Sequence, residues 1–134
     1  DWLLGAAQRG EVASIDRVKR ELREKDDQIR HWIDFHARDL FRPETASTGT
    51  HMTSVAAWAA NGSYTPAATA EFLRKADAFL VAHAMDGGHE IVTLEKPAPG
   101  ATNKIKIPDA CAAHGVAWVS PYELLRRHGA RLVL

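Results

Sequence analysis

Three carboxylates occupy positions from which they could do chemistry: Glu21, Asp77 and Glu95. Glu21 lies at the edge of a helical apolar stripe, Asp77 is the only acid in the run 76–82, and Glu95 comes two residues after Thr93, where a strand is expected to end. Carboxylates are seldom buried without a partner or a metal. A cluster of such acids suits Mg²⁺ or Mn²⁺, which could activate a water molecule and neutralise charge on a phosphodiester.

Each of these acids also has an ordinary explanation, and the local sequence leaves both interpretations open. Glu21 could be a solvated helix residue paired with Arg17 or Lys25. Asp77 could be the N-cap of a buried helix, and Glu95 could be a plain loop residue. The position of Glu95 favours a functional role, because ligands of α/β proteins bind beyond the carboxyl ends of parallel strands.

The elements that would position these acids alternate between helices and short strands. Periodicity and turn signals predict helices over residues 2–9, 16–22, 29–36, 51–60, 66–75, 76–85, 108–114 and 121–128, and strands over 11–15, 89–93, 116–119 and 130–134. Residues 43–50 are expected to form a loop, and residues 104–107 either a strand or an extended loop. This order predicts one α/β domain over residues 1–134, with a mostly parallel sheet between two helical layers.

Composition excludes several classes of protein. The chain has 134 residues, with 17 Lys and Arg against 17 Asp and Glu, so a uniformly basic nucleic-acid-coating protein is excluded. The single cysteine, Cys111, excludes a disulfide framework and a cysteine zinc cage, and it is expected to pack in a core. Reducing, cytoplasmic surroundings are therefore expected. No apolar run is long enough for a membrane span, and the seven histidines are scattered without the spacing of a zinc site.

The order of these segments resembles a known family. Residues 14–22, the run Ala-Asp-Ala-Phe-Leu-Val-Ala at 76–82 and Val-Thr-Leu-Glu at 92–95 resemble the PIN nuclease family in order and spacing. Residues 104–111 and 124–134 are similar to the PIN-like branch known as the domain of unknown function DUF4411. The resemblance extends over essentially the whole chain.

The resemblance implies a Mg²⁺- or Mn²⁺-dependent ribonuclease, often the toxin of a VapBC-type toxin–antitoxin pair. Glu21 would be the second family acid and Asp77 the third, and Glu95 would replace the aspartate of the family's Thr-x-Asp pattern. Thr93 would be the hydroxyl that supports Glu95. The family's first acid lies on an N-terminal strand that is not found here, so we expect that strand and the helix after it to be missing from these residues.

Two functions follow as hypotheses. The first is a PIN-type endoribonuclease in which Glu21, Asp77 and Glu95 hold the ion and Lys104 and Lys106 contact RNA. The alternative is a catalytically degenerate PIN-like module that binds a protein partner, such as an antitoxin helix beside the helices around residues 32 and 58. A solvated surface explains the two lysines equally well. A homodimer is compatible with both hypotheses, and no membrane partner is expected.

Overall fold

The computed structural model describes residue 9 and residues 13–25, 27–36, 40–43 and 45–127. The chain divides into two compact units, Asp1–Thr45 and Ala46–Leu134, and each is described by itself. Residues 2–8 of the predicted first helix and the whole predicted strand 130–134 lie outside the described residues. The single PIN-like domain over residues 1–134 stays a prediction.

The first unit is built on a pair of short parallel strands. It contains β1 (Ser14–Ile15), α1 (Asp16–Lys25), α2 (Asp27–His36) and β2 (Phe41–Arg42). The strands pair with Ser14 opposite Phe41, and α1 and α2 form the crossover that a parallel pair requires. Ile15 and Ile33 are buried in this unit, and Arg23 Nε lies 3.2 Å from Asp34 Oδ1, which joins the two helices.

The second unit surrounds another parallel pair with helices. It contains α3 (Ala46–Asn61), α4 (Pro66–Arg74), α5 (Ala76–Gly87), β3 (Ile91–Val92), α6 (Ile107–His114), β4 (Trp118–Val119) and α7 (Pro121–Arg127). Ile91 lies opposite Trp118 and Val92 opposite Val119, with α6 in the crossover. Helices joined to parallel strand pairs confirm the α/β class at this level.

Helix α5 lies at the centre of the second unit's core. Ala78, Val81 and Ala82 are fully buried, which confirms the buried helix predicted from its apolar sequence. The small alanines let α3, α4 and α6 pack closely against it. The core is completed by residues from these helices, from β3 and from the extended segment before α6: Val55, Ala59, Phe72, Ile91, Ile105, Ile107, Ala110 and Cys111. The predicted core position of Cys111 is therefore confirmed.

The start of α3 corrects the predicted loop over residues 43–50. The helix begins at Ala46, and Thr48 within it is 1% exposed. The Thr50 hydroxyl donates to the Ala46 carbonyl at 3.4 Å, and the Thr53 hydroxyl donates to the Gly49 carbonyl at 3.3 Å. Hydroxyls that hydrogen-bond to the preceding turn allow a Ser/Thr-rich segment to be helical, although its composition is typical of a loop.

Candidate functional site

The residues after β3 form a tight turn around the Thr93 hydroxyl. The Thr93 N–H donates to the Val119 carbonyl at 2.9 Å and so extends the strand pairing by one residue. Thr93 is 8% exposed, and its Oγ1 accepts a hydrogen bond from the Glu95 N–H at 3.1 Å. A threonine that bonds to the backbone two residues later fixes a turn. Thr93 therefore supports the backbone that carries Glu95.

The Glu95 carboxylate faces the first turn of α6. Its Oε1 accepts a hydrogen bond from the Ile107 N–H at 3.3 Å, and its Oε2 lies 3.6 Å from Lys106 Nζ. The N-cap residue of α6 is Lys106, whose side chain makes no capping bond. Glu95 therefore caps this helix from a distant part of the chain, with its negative charge at the positive end of the helix. Its side chain remains 25% exposed.

A neighbouring carboxylate that the sequence analysis did not single out fixes the loop between β3 and α6. Asp109, in the first turn of α6, accepts the Ala98 N–H on both oxygens, at 3.3 and 3.0 Å. This contact joins residues 11 apart in the chain and follows no local pattern. It gives Asp109 a structural role next to Glu95.

Asp77 lies in the first turn of α5 and borders a small cavity. The N-cap of α5 is Lys75, so Asp77 is not the N-cap that local sequence allowed. The cavity has a volume of about 20 Å³, and its charged walls are Glu71, Lys75, Asp77 and Lys104. Asp77 is partly buried.

One extended segment, residues 104–106, lies beside both candidate acids of the second unit, Asp77 and Glu95. Ile105 is 3% exposed and belongs to the core, whereas Lys104 borders the Asp77 cavity and Lys106 pairs with Glu95. In extended chain, alternate residues point to the same side. The structure therefore brings a lysine of this segment beside each acid. Of residues 104–107, for which the sequence predicts either a strand or an extended loop, 104–106 are extended without strand pairing and Ile107 begins α6.

Glu21 belongs to the first unit, where it lies in α1 and is partly buried. Asp77 and Glu95 belong to the second unit. Within the described residues, no three His, Cys, Asp or Glu side chains are grouped so that they could hold a metal ion. Asp77 and Glu95 nevertheless present oxygen donors, which are the ligands that Mg²⁺ and Mn²⁺ prefer.

Comparison with known families identifies the chain. The family model described as Domain of unknown function (DUF4411) matches residues 1–132, so the chain belongs to this family. No protein of curated function and no solved structure matches the chain in the same comparisons. Among the described residues, no helix is both long enough and apolar enough to cross a bilayer.

Proposed function

We propose that this member of the DUF4411 family is a metal-dependent endoribonuclease of the PIN type, with a three-layer PIN fold, and that it is the toxin of a toxin–antitoxin pair. The observation that supports the activity most directly is the turn from Thr93 to Glu95 beyond the carboxyl end of β3. That turn and Asp77 border the same lysine-bearing segment. The order of acids along the chain, which resembles PIN nucleases, adds independent support.

Asp77 and Glu95 would hold Mg²⁺ or Mn²⁺, with Glu21 as the third carboxylate that the family resemblance implies. Their donor chemistry fits, because Mg²⁺ is commonly held by one or two carboxylates together with substrate phosphates. When bound, such an ion activates a water molecule and offsets the negative charge that builds up at the phosphorus. The chain itself supplies the ligands and the surface that holds the RNA.

Lys104 and Lys106 would hold the RNA backbone. Lys106 Nζ lies 3.6 Å from Glu95 Oε2, and its side chain is 30% exposed, so a phosphate can reach it from solvent. Lys104 is exposed beside the Asp77 cavity. Two cations on one extended segment match the repeating charge of a nucleic acid backbone. Thr93 keeps Glu95 in place while the phosphate is bound.

Asp77→Asn tests the activity, because it removes the charge and keeps the shape of the side chain. We expect the intact protein to cleave a fluorescent single-stranded RNA with Mn²⁺, to lose cleavage with EDTA, and to lose it in Asp77→Asn at unchanged melting temperature. Asp86→Asn makes the same change in the last turn of the same helix and is the control, with cleavage retained. Cleavage by Asp77→Asn at the wild-type rate would reject the assignment.

The toxin role is tested separately in a bacterial host. Induced expression is expected to arrest growth, and Asp77→Asn is expected to relieve the arrest. Co-expression of a small protein encoded next to this gene should also restore growth and copurify with the chain. Growth that is unaffected by the active enzyme would reject the toxin role and leave the nuclease assignment intact.

The alternative, a degenerate module that binds a protein partner, is favoured by one observation. The Glu95 carboxylate already accepts the Ile107 N–H and pairs with Lys106, so a structural role accounts for it without an ion. Calorimetry with Mn²⁺ separates the two functions. The module predicts no heat of binding at millimolar metal and no cleavage, whereas the nuclease predicts saturable heat that Asp77→Asn removes.

A further inference from the structure

A second cavity opens at the other end of the β3–β4 pair, away from Thr93 and Glu95. It has a volume of about 510 Å³, and Glu90 and Ala117, which directly precede the two strands, form part of its wall. His51 of α3, His89 and His114 also line it. All these residues belong to the second unit. The volume lies in the range of small-molecule sites.

Two helix ends give this cavity a negative potential. Helices α5 and α6 both end at its wall, where Gly88 and Gly115 adopt left-handed conformations with φ of 66° and 67°. A helix C-terminus carries partial negative charge, and its last carbonyls lack donors within the helix. The Glu90 carboxylate also lies at the wall, where its Oε1 pairs with Arg127 Nη1. The cavity therefore favours a cation over an anion.

The imidazoles add hydrogen-bonding groups to the cavity wall. Burial lowers the pKa of His114, so its ring stays neutral at pH 7. Its Nε2 is buried and makes no hydrogen bond to any residue that the structure describes. His51 Nε2 lies 3.8 Å from Asp86 Oδ1, which brings another carboxylate close to the cavity. A buried polar atom such as His114 Nε2 normally has a hydrogen-bond partner in a native fold, so a bound ligand could supply one.

His89 is held in a defined orientation. Its ring stacks on His83 with centroids 5.5 Å apart and planes 9° from parallel. The same ring lies so close to the backbone of Gly87 that a Cβ there would collide with Nε2. A side chain at position 87 would therefore require the His89 ring to shift, and His89 lines the cavity. A planar cation can stack on an aromatic ring.

Arg127 indicates which kind of group the Glu90 carboxylate binds at the edge of the cavity. Its Nη1 donates to Glu90 Oε1 at 2.8 Å, so a guanidinium of the chain itself already pairs with this carboxylate. Within the described residues, the histidines and acids form no group of three that could hold a metal ion. A ligand rich in N–H donors therefore matches these acceptors better than an anion or a bare metal.

We propose that this histidine-lined cavity binds a guanidinium group, carried either by a free small molecule or by an arginine of a partner protein. Guanidinium offers five donors in one plane, which suits the Glu90 carboxylate and the imidazole nitrogens of a cavity bordered by two helix C-termini. The proposal is independent of the nuclease site, because the cavity lies at the opposite end of the strand pair.

The test compares n-butylguanidinium with neutral n-butylurea, which has nearly the same shape. In a ¹⁵N NMR titration, the guanidinium is expected to shift the imidazole signals of His51, His89 and His114 saturably, and the urea is expected to leave them unchanged. Glu90→Gln should weaken binding about tenfold, as expected for a hydrogen bond to a charged group. Equal shifts by both compounds, or by neither, would overturn the proposal.

A matched pair of variants locates the site. Ala117→Trp places an indole in the cavity and should abolish binding, whereas Ala113→Trp, at an exposed position of α6 outside the cavity wall, should keep it. Equal binding by both variants would contradict the assigned site. Agmatine and a short peptide with one central arginine then distinguish the sources, because the tighter binder identifies whether a free molecule or a protein side chain is the natural ligand.

Discussion

At the scale of single residues, Glu95 combines two roles that make opposite demands on its carboxylate. As a helix cap it needs an acceptor oxygen for the Ile107 N–H, whereas as a proposed metal ligand it needs its negative charge. Glutamine preserves the first property and removes the second. The residue pattern predicted the position of Glu95 after a strand, but it could not predict the cap, because Ile107 is 12 residues away in the chain.

We therefore expect Glu95→Gln and Glu95→Ala to differ in stability and to agree in activity. Glu95→Gln keeps an acceptor for the Ile107 N–H and should change the free energy of unfolding little. Glu95→Ala removes the cap and should cost about 1 kcal/mol, the usual effect of losing an N-cap. Both should lose RNA cleavage. Urea unfolding and a cleavage assay measure the two effects, and full activity in Glu95→Gln would contradict the role as a ligand.

Cys111 illustrates how burial controls reactivity. The thiol is fully buried in α6, and desolvation raises its pKa to about 11. The thiolate is the reactive form, so the thiol should be nearly inert in the folded protein at pH 8. We expect reaction with DTNB to be slow under native conditions and fast in denaturing urea. Rapid labelling of the folded protein would show that α6 opens readily.

At the scale of elements, proline and capping signals predicted the starts of α4 and α7, whereas no local signal predicted the strand lengths. Pro66 was expected at the first position of a helix, and α4 begins there with the Thr65 hydroxyl accepting the Ala68 N–H at 3.1 Å. Ser120 likewise accepts the Glu123 N–H at 3.2 Å. The Glu123 carboxylate pairs with Arg126 at 2.7 Å, which adds an ion pair along the helix.

The strands were predicted less accurately for a physical reason. The predicted strand 89–93 is observed only as Ile91–Val92, and β2 at Phe41–Arg42 was not predicted at all. Strands of two residues carry no usable alternation, and their pairing depends on a partner far along the chain. No local sequence pattern therefore predicts which strands pair, and the same holds for the ion pair between Lys106 and Glu95.

The Thr65 cap gives a quantitative test at this scale. Thr65→Ala should lower the free energy of unfolding by about 1 kcal/mol, because the Ala68 N–H loses its acceptor. Thr65→Asp should restore most of this loss, since aspartate is also a good cap. Ser63→Ala, in the exposed turn before α4, is the control and should change stability little. Urea unfolding of the variants measures the differences.

At the scale of the whole molecule, overall charge would not account for the RNA binding that we propose. The chain has 17 basic and 17 acidic residues, so any attraction to RNA must come from local arrangement. In the proposed nuclease, this attraction comes from the segment that carries Lys104 and Lys106, which lies beside two carboxylates. An ion held by those carboxylates would reduce their repulsion of the phosphates. The two lysines would then supply most of the attraction to the RNA backbone.

Salt dependence measures this local contribution. For single strands, each phosphate contact contributes about 0.7 to the slope of log affinity against log salt concentration. The double change Lys104→Gln and Lys106→Gln should therefore reduce the magnitude of that slope by about 1.4 if each lysine contacts one phosphate. Arg20→Gln with Arg30→Gln removes the same charge from exposed positions of the first unit and should leave the slope unchanged. Equal slopes for the wild type and the lysine variant would contradict an RNA contact at residues 104–106, because each lysine that contacts a phosphate adds to the salt dependence.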